Sequence, residues 1–233
     1  MYKNKRLLAI IPARGGSKGI RLKNLRKING ISLIGHIGKL VKKIKFIDLS
    51  LVSSDHPRML KEAKKYSLSV LFKRPKKISG DKIGDFDVIK HSLLMAERER
   101  KIKYDIILFF QPTSPLRKII DIKKVLDIII NKKYDSVWSV SPVDLKNHYK
   151  KQLKIKNNKL KFVYHYGGKI VRRQELDQTY YRNGVVYAFT RNCILKKQKL
   201  LTDNSGYHII GSKQISIDTI KDIKEVKKYL TKY

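Results

Sequence analysis

Short apolar runs alternate with longer amphipathic stretches along most of this chain. Leu7 to Ala13, Ile47 to Ser53, Ser69 to Phe72, Ile106 to Phe110 and Ser136 to Val140 have the length and composition of buried strands. Between them apolar positions recur at helical spacing, first at Leu33, Ile37, Leu40, Val41 and Ile44, next at Phe86, Ile89, Leu93 and Ala96, and then at Ile122, Val125 and Ile129. Strand followed by helix, repeated, predicts an α/β fold: a mostly parallel sheet with helices on both faces.

After Pro142 the rhythm changes. Leu153 to Ile155 and Leu160 to Tyr164 flank Asn157-Asn158, a turn signal between two alternating stretches, and predict an inserted hairpin. The parallel theme is expected to resume with Val185 to Phe189 and Gln214 to Ile217. A last helix presents Ile220, Ile223, Val226 and Leu230, and Thr219 with Asp222 forms a capping-box pattern at its start. No internal repeat or flexible linker interrupts the pattern.

Of the 233 residues 42% are hydrophobic, enough for a sizeable core, while 13 Gly and 6 Pro are too few for a low-complexity chain. No apolar run approaches the roughly 18 residues that cross a bilayer, so no membrane insertion is expected. The single cysteine, Cys193, forms no intramolecular disulfide, and no Cys/His spacing resembles a zinc site, which points to a reducing, cytoplasmic setting. The unusual quantity is charge, with 54 Lys+Arg against 19 Asp+Glu for a net +35. Such an excess attracts polyanions or phosphorylated small molecules. The basic residues are mostly Lys, dispersed beside abundant Ile, Tyr and Asn, all with A/T-rich codons, so base composition accounts for them better than a nucleic-acid face does.

Candidate chemistry begins where the first strand ends, at Pro12-Ala13-Arg14-Gly15-Gly16-Ser17-Lys18-Gly19. Glycines let the backbone approach a ligand closely and Arg14 and Lys18 add positive charge, a combination suited to phosphate. The spacing is neither a Walker A loop nor a dinucleotide fingerprint. Arg74 follows a predicted strand, where a guanidinium fork can reach the acceptor edge of a base. Gln111 lies at the carboxyl end of the Ile106 to Phe110 run, the end at which open parallel sheets bind ligands. Asp55, Asp81 and Asp85 read as helix-start residues, the histidines as structural, and Cys193 as buried packing on a helix.

Ile11 to Gly19 followed by Leu22-Lys23-Asn24-Leu25 resembles the N-terminal signature of the CMP-sialic acid synthetases, the acylneuraminate cytidylyltransferases. The similarity continues through Asn29 to Leu33 with Gly35-His36, Ser53-Ser54-Asp55, Arg74-Pro75, Gln111 to Arg117, Asn183-Gly184 with Tyr187, and Ile217-Asp218-Thr219. It covers nearly the whole chain in the family's order. The resemblance implies a Rossmann-like nucleotidyltransferase core over 1–140 and 179–233, an inserted β-hairpin dimerisation arm over 141–178, and a homodimer. It implies coupling of CTP to a nine-carbon acidic 2-keto sugar with release of pyrophosphate, assisted by Mg²⁺. Legionaminic, pseudaminic and 3-deoxy-manno-octulosonic acids are alternative acceptors, and a catalytically silent or polyanion-binding relative is the alternative of another class.

By the same resemblance Ala13, Arg14, Gly15, Ser17 and Lys18 hold the triphosphate, Lys23 neutralises charge near the α-phosphate, and Asn24 touches the nucleotide. Arg74 reads the base, Gln111 lies between ribose and sugar, Arg173 and Tyr187 serve the sugar, and Asp218 holds the metal. Two departures stand out. The family's Arg-Pro-Asn-Gly is here Tyr181-Arg182-Asn183-Gly184, and its Asp-x-Asp is here Ser216-Ile217-Asp218, which retains one carboxylate.

Overall fold

The computed structural model describes residues 1–230, the Arg173 side chain excepted; residues 231–233 of the expected core segment lie outside the described residues. The central strand is β1 (Leu7–Pro12), whose residues Leu7 to Ile11 are wholly buried. It pairs in parallel with β4 (Leu49–Ser53) on one side and β5 (Ile106–Phe109) on the other. Because successive strand side chains point to opposite faces, Leu7, Ala9 and Ile11 enter one apolar cluster and Leu8 and Ile10 another.

The first cluster takes in Ile34, Ile37 and Val41 from α1 (Leu33–Lys42), Met59 and Ala63 from α2 (Pro57–Lys65), and Ile122, Val125, Leu126 and Ile129 from α4 (Ile119–Asn131). The second is closed by Val88, Ile89, Leu93 and Ala96 of α3 (Asp85–Arg100). Helices therefore cover both faces, as the repeating pattern predicts. Ser32 caps α1 by accepting from Gly35 N at 2.9 Å, and two short strands, β2 (Lys27–Ile28) and β3 (Ile31–Ser32), lead into it.

The main sheet has six strands in the order β10-β6-β9-β5-β1-β4, with β6 at Ser136–Pro142, β9 at Tyr180–Thr190 and β10 at Ser205–Ile209. All but β9 run in one direction, so the mostly parallel expectation holds for the sheet. It fails for Val185 to Phe189, which lies within β9, antiparallel to both β5 and β6. The reason is the connection: Pro142 pairs with Tyr180, and Val143 N donates to Thr179 O at 2.9 Å, so β6 and β9 form a broad hairpin without a helical crossover.

Two further expectations need correction. Ser69 to Phe72 makes one bridge, Leu51 to Ser69, and then leaves the sheet; its next bond, Arg74 N to Ser54 O at 2.8 Å, already belongs to a cleft wall. Gln214 to Ile217 is extended, with Ile215 and Ile217 buried, but carries no strand pairing; Ile217 N donates to Thr113 O at 2.9 Å. The edge position beside β6 is taken by β10, whose Gly-Tyr-His centre lacks an apolar alternation.

The excursion between β6 and β9 carries the expected hairpin, β7 (Leu153–Lys156) with β8 (Lys159–Phe162), turning through Asn157 and Asn158 at φ 52 and 57. Every residue of both strands is exposed. The last helix, α5 (Ile220–Leu230), starts with the expected capping box, in which Asp222 N donates to Thr219 Oγ1 (3.3 Å) and Thr219 N to Asp222 Oδ2 (2.6 Å). Cys193 is buried, at the head of a π-helical turn over Cys193–Lys197 rather than on an α-helix. Its thiol bonds Lys199 O, and burial pushes its pKa up to about 11.

Candidate active site

At the carboxyl ends of β1, β4 and β5 lies a cleft of about 470 Å³, lined among others by Arg14, Ser17, Lys18, Lys23, Asn24, Arg74, Gln111 and Asp218. Segments far apart in sequence thus converge where open parallel sheets bind ligands. The loop after β1 is pinned from both sides: Ala13 N donates to Ser53 O (2.9 Å) and Gly15 N to Asp55 Oδ1 (2.8 Å). Asp55 therefore anchors the glycine loop, while His56 caps α2. Ala13 is fully buried behind the loop.

The cations of the cleft face carboxylates. Arg14 Nη1 lies 2.6 Å and Lys18 Nζ 3.1 Å from opposite oxygens of Asp81, and together they hold that carboxyl below its ordinary pKa. Lys23 Nζ lies 2.7 Å from Asp218 Oδ1. Arg74 is only 4% exposed; its Nε donates to Ser53 Oγ at 3.0 Å, its Nη2 donates to Ser53 O, and burial draws its pKa down to about 10. Held by one serine of β4, its guanidinium stays charged at neutral pH.

Gln111 is fixed from behind by Arg117, which belongs to the same motif. Arg117 is buried and donates to Gln111 O (2.8 Å), to Gly184 O (3.0 Å) and to Val185 O, with its guanidinium 5.1 Å from the Phe110 ring. Burial draws its pKa down to about 9. Gly184 has φ +71, and a Cβ there would meet Gln111 Oε1 at 2.6 Å and the Ser114 hydroxyl, so only glycine fits between β9 and the cleft. Asn183 sustains the irregularity in the β6–β9 register through Ser139 Oγ (2.6 Å) and Ser141 Oγ (3.1 Å).

Of the residues assigned to the sugar, Tyr187 lies apart from this group. Tyr187 is 1% exposed beneath the sheet surface, accepts from Gly184 N at 2.8 Å and packs 4.5 Å from the Trp138 ring. The backbone of Arg173 is in a short helical turn, Arg173–Glu175, and its side chain lies outside what the structure describes. Arg182 lies over the Trp138 ring at 5.6 Å. Ser216 and Asp218 are both exposed on the same side of an alternating segment whose Ile215 and Ile217 are buried.

Asp81 and Asp85, which the sequence pattern presents as helix-start residues, both line the cleft. Asp85 does begin α3, next to the N-cap Gly84, but its carboxyl is held above the ordinary range by burial, against the pull of Arg182 and Arg74. An acidic residue beside Gly80 in so basic a chain was the available signal for Asp81. No group of three or more His, Cys, Asp or Glu side chains able to hold a metal exists among the described residues. The single exposed carboxylate of Asp218 beside Lys23 fits Mg²⁺ bound mainly by nucleotide oxygens and water, rather than by a protein cage.

Such a cleft, with cations at one wall and a buried guanidinium at another, has the electrostatics that suit an anionic ligand. A family model described as cytidylyltransferase matches residues 8–231. CMP-N,N'-diacetyllegionaminic acid synthase of Campylobacter jejuni is 29% identical over 222 residues, covering 95% of this chain and 93% of that protein. The protein of the same name from Legionella pneumophila is 30% identical over 217 residues, covering 91% and 90%. A CMP:2-keto-3-deoxy-manno-octonic acid synthetase solved with CTP shares the fold at TM-score 0.73 and 14% identity, over 97% of this chain and 99% of that one. The chain belongs to the cytidylyltransferase family.

Proposed function

We propose that this protein transfers CMP from CTP to the anomeric hydroxyl of a nine-carbon acidic 2-keto sugar, releasing pyrophosphate. The observation that carries the reading is the convergence of Arg14, Lys18, Lys23, Arg74, Gln111 and Asp218 on one cleft. The hydroxyl oxygen attacks the α-phosphorus, a new P–O bond forms in line with the breaking bond to the β-phosphate bridge, and the hydroxyl proton is lost to solvent or a base. Charge builds on phosphate oxygens, so preorganised cations do most of the catalytic work.

Arg14 and Lys18 bind the β- and γ-phosphates after exchanging Asp81 for them. Lys23 faces the α-phosphate, Asn24 and Ser17 donate hydrogen bonds from the same loop, and Gln111, braced by Arg117, orients ribose and acceptor. Asp218 would hold a Mg²⁺ ion together with nucleotide oxygens, and that ion would supply Lewis-acid charge. The loss of a second family carboxylate at Ser216 is compatible with this, since magnesium commonly binds through one or two carboxylates plus phosphates.

Among acceptors, the names of the full-length relatives favour N,N'-diacetyllegionaminic acid. The protein acts as a homodimer joined through the hairpin arm, whose apolar side chains are exposed in the single chain. Pyrophosphate release is measured with each of the four nucleoside triphosphates, Mg²⁺ and either N-acetylneuraminate or N,N'-diacetyllegionaminate. Release confined to CTP plus one of these acids is expected; no release with CTP and any acidic 2-keto sugar overturns the reading.

A further inference from the structure

The segment from Arg74 to Val88 gives the cleft a wall of a different character from the phosphate loop. It contributes the apolar side chains of Ile78, Ile83 and Val88, and three ionic groups, Arg74, Asp81 and Asp85, of which Asp81 is already paired with Arg14 and Lys18. Arg74 spends Nε and Nη2 on Ser53, which immobilises the fork and leaves Nη1 for a ligand. Asp85 accepts no hydrogen bond from protein among the described residues, although it is only partly exposed and attracted by Arg74 and Arg182. A half-buried carboxylate with open acceptor positions in a ligand cleft wants a donor.

We propose that Asp85 and Arg74 jointly read the pairing edge of the nucleotide base, Asp85 accepting from the 4-amino group of cytosine while Arg74 Nη1 donates to its N3 or O2. The assignment rests on the CTP reading above and deepens it. Cytosine offers a donor at position 4 and acceptors at N3 and O2, which match a carboxylate beside a guanidinium. Uracil reverses two of the three: its O4 would face the carboxylate and its N3–H the guanidinium. A site whose charged groups are left facing like partners rejects the wrong base far more strongly than an apolar pocket can. The apolar side chains of Ile78, Ile83 and Val88 on the same wall offer contact to a base but no choice between cytosine and uracil.

The test compares CTP with UTP in the intact protein, by direct binding of each nucleotide without sugar and by kcat/KM with the acidic sugar. Wild type is expected to prefer CTP by about a hundredfold or more. Asp85→Asn, whose amide can present either an oxygen to cytosine or an NH2 group to uracil, is expected to cut that ratio at least about tenfold, chiefly through CTP. Asp85→Ser, which keeps a polar first helical turn, checks that the loss is not one of folding, together with unchanged melting temperatures. An unaltered CTP/UTP ratio in both folded variants overturns the assignment while leaving the cytidylyltransferase reading intact. A wild type with no preference for CTP overturns both.

Discussion

Lys23 Nζ sits 2.7 Å from Asp218 Oδ1 across 195 positions of sequence, joining the loop after β1 to the segment before α5. The lysine side chain is 17% exposed and the carboxylate 69%, so the pair presents its acidic member to the cleft. Asp218→Ala is expected to lower kcat by at least about a hundredfold, the scale of losing one preorganised electrostatic group. The melting temperature should hold, because this carboxylate is largely exposed and its partner is a lysine at the surface of the cleft. Pyrophosphate release across a Mg²⁺ titration and a thermal melt check both points; retained Mg²⁺-dependent turnover would remove Asp218 from the metal's ligands.

The same junction depends on Gly19. A Cβ there would lie 2.8 Å from Asp218 O, a backbone atom that cannot swing aside. Gly19→Ala is therefore expected to push the Asp218 segment away from Lys23, raising KM for CTP and lowering kcat while the rest of the sheet folds normally. Kinetics at saturating Mg²⁺ provide the check, and a fully active variant would mean that the segment yields without cost.

Asp81 occupies both cations assigned above to the triphosphate. Its bonds to Lys18 and Arg14 hold it below the ordinary carboxylate range, so the pairs are complete at neutral pH and are lost only as pH falls through that lowered value. Exposed pairs of this kind are weak. Asp81→Asn is expected to lower KM for CTP by about two- to fivefold with kcat little changed, since removing the competitor leaves both cations in place. A raised KM would show that Asp81 positions Arg14 for the nucleotide rather than competing with it.

The glycine loop and the Gln111 to Arg117 run were legible because each follows a strand, β1 or β5, that periodicity alone marks, whereas the strand expected before Arg74 does not form and its guanidinium is held instead by Ser53 of β4. What was not legible depended on contacts between distant segments. Asp81 and Asp85 carry the usual signature of a helix start, and only the fold turns them towards Arg14 and Arg74. Tyr187 follows the family's motif, yet it is buried in the sheet, where its hydroxyl oxygen accepts from Gly184 N. The direction of β9 was invisible for a related reason, since Val185 to Phe189 is apolar on both faces and its pattern is the same whichever way it runs. Arg117 reads as the end of a loop motif, but its three carbonyl partners come from just past β5 and from the middle of β9.

That bracing of Gln111 makes Arg117 a test of how the fold supports the site. Arg117→Met keeps the volume and the apolar contact with Phe110 but removes the donor to the carbonyls of Gly184 and Val185, and leaves Gln111 O with Ser114 N alone (3.2 Å). A loss of about 3 kcal/mol is expected in urea unfolding, the scale of burying unsatisfied polar groups. Turnover should fall more than CTP binding, because Gln111 is displaced while the phosphate loop is not. Stability equal to wild type would mean that the carbonyls find other donors.

The exposed ribbon makes the last prediction. Leu153 pairs with Phe162 and Ile155 with Leu160, whereas Lys154 pairs with Lys161 and Lys156 with Lys159, so one face is apolar and the other carries four lysines. Ile155 is 78% and Leu160 65% exposed in the single chain. A two-stranded ribbon on its own is marginal in water, and directly opposed lysines weaken it further. Covering the apolar face with a second copy of the arm resolves the conflict. Wild type is expected to sediment as a dimer, and Ile155→Lys, which puts charge in the middle of that face, as a monomer with an unchanged core melting transition. If the arm also closes over the partner's acceptor site, the variant keeps its affinity for CTP and loses affinity for the sugar. A monomeric wild type of full activity would mean that the arm serves its own chain.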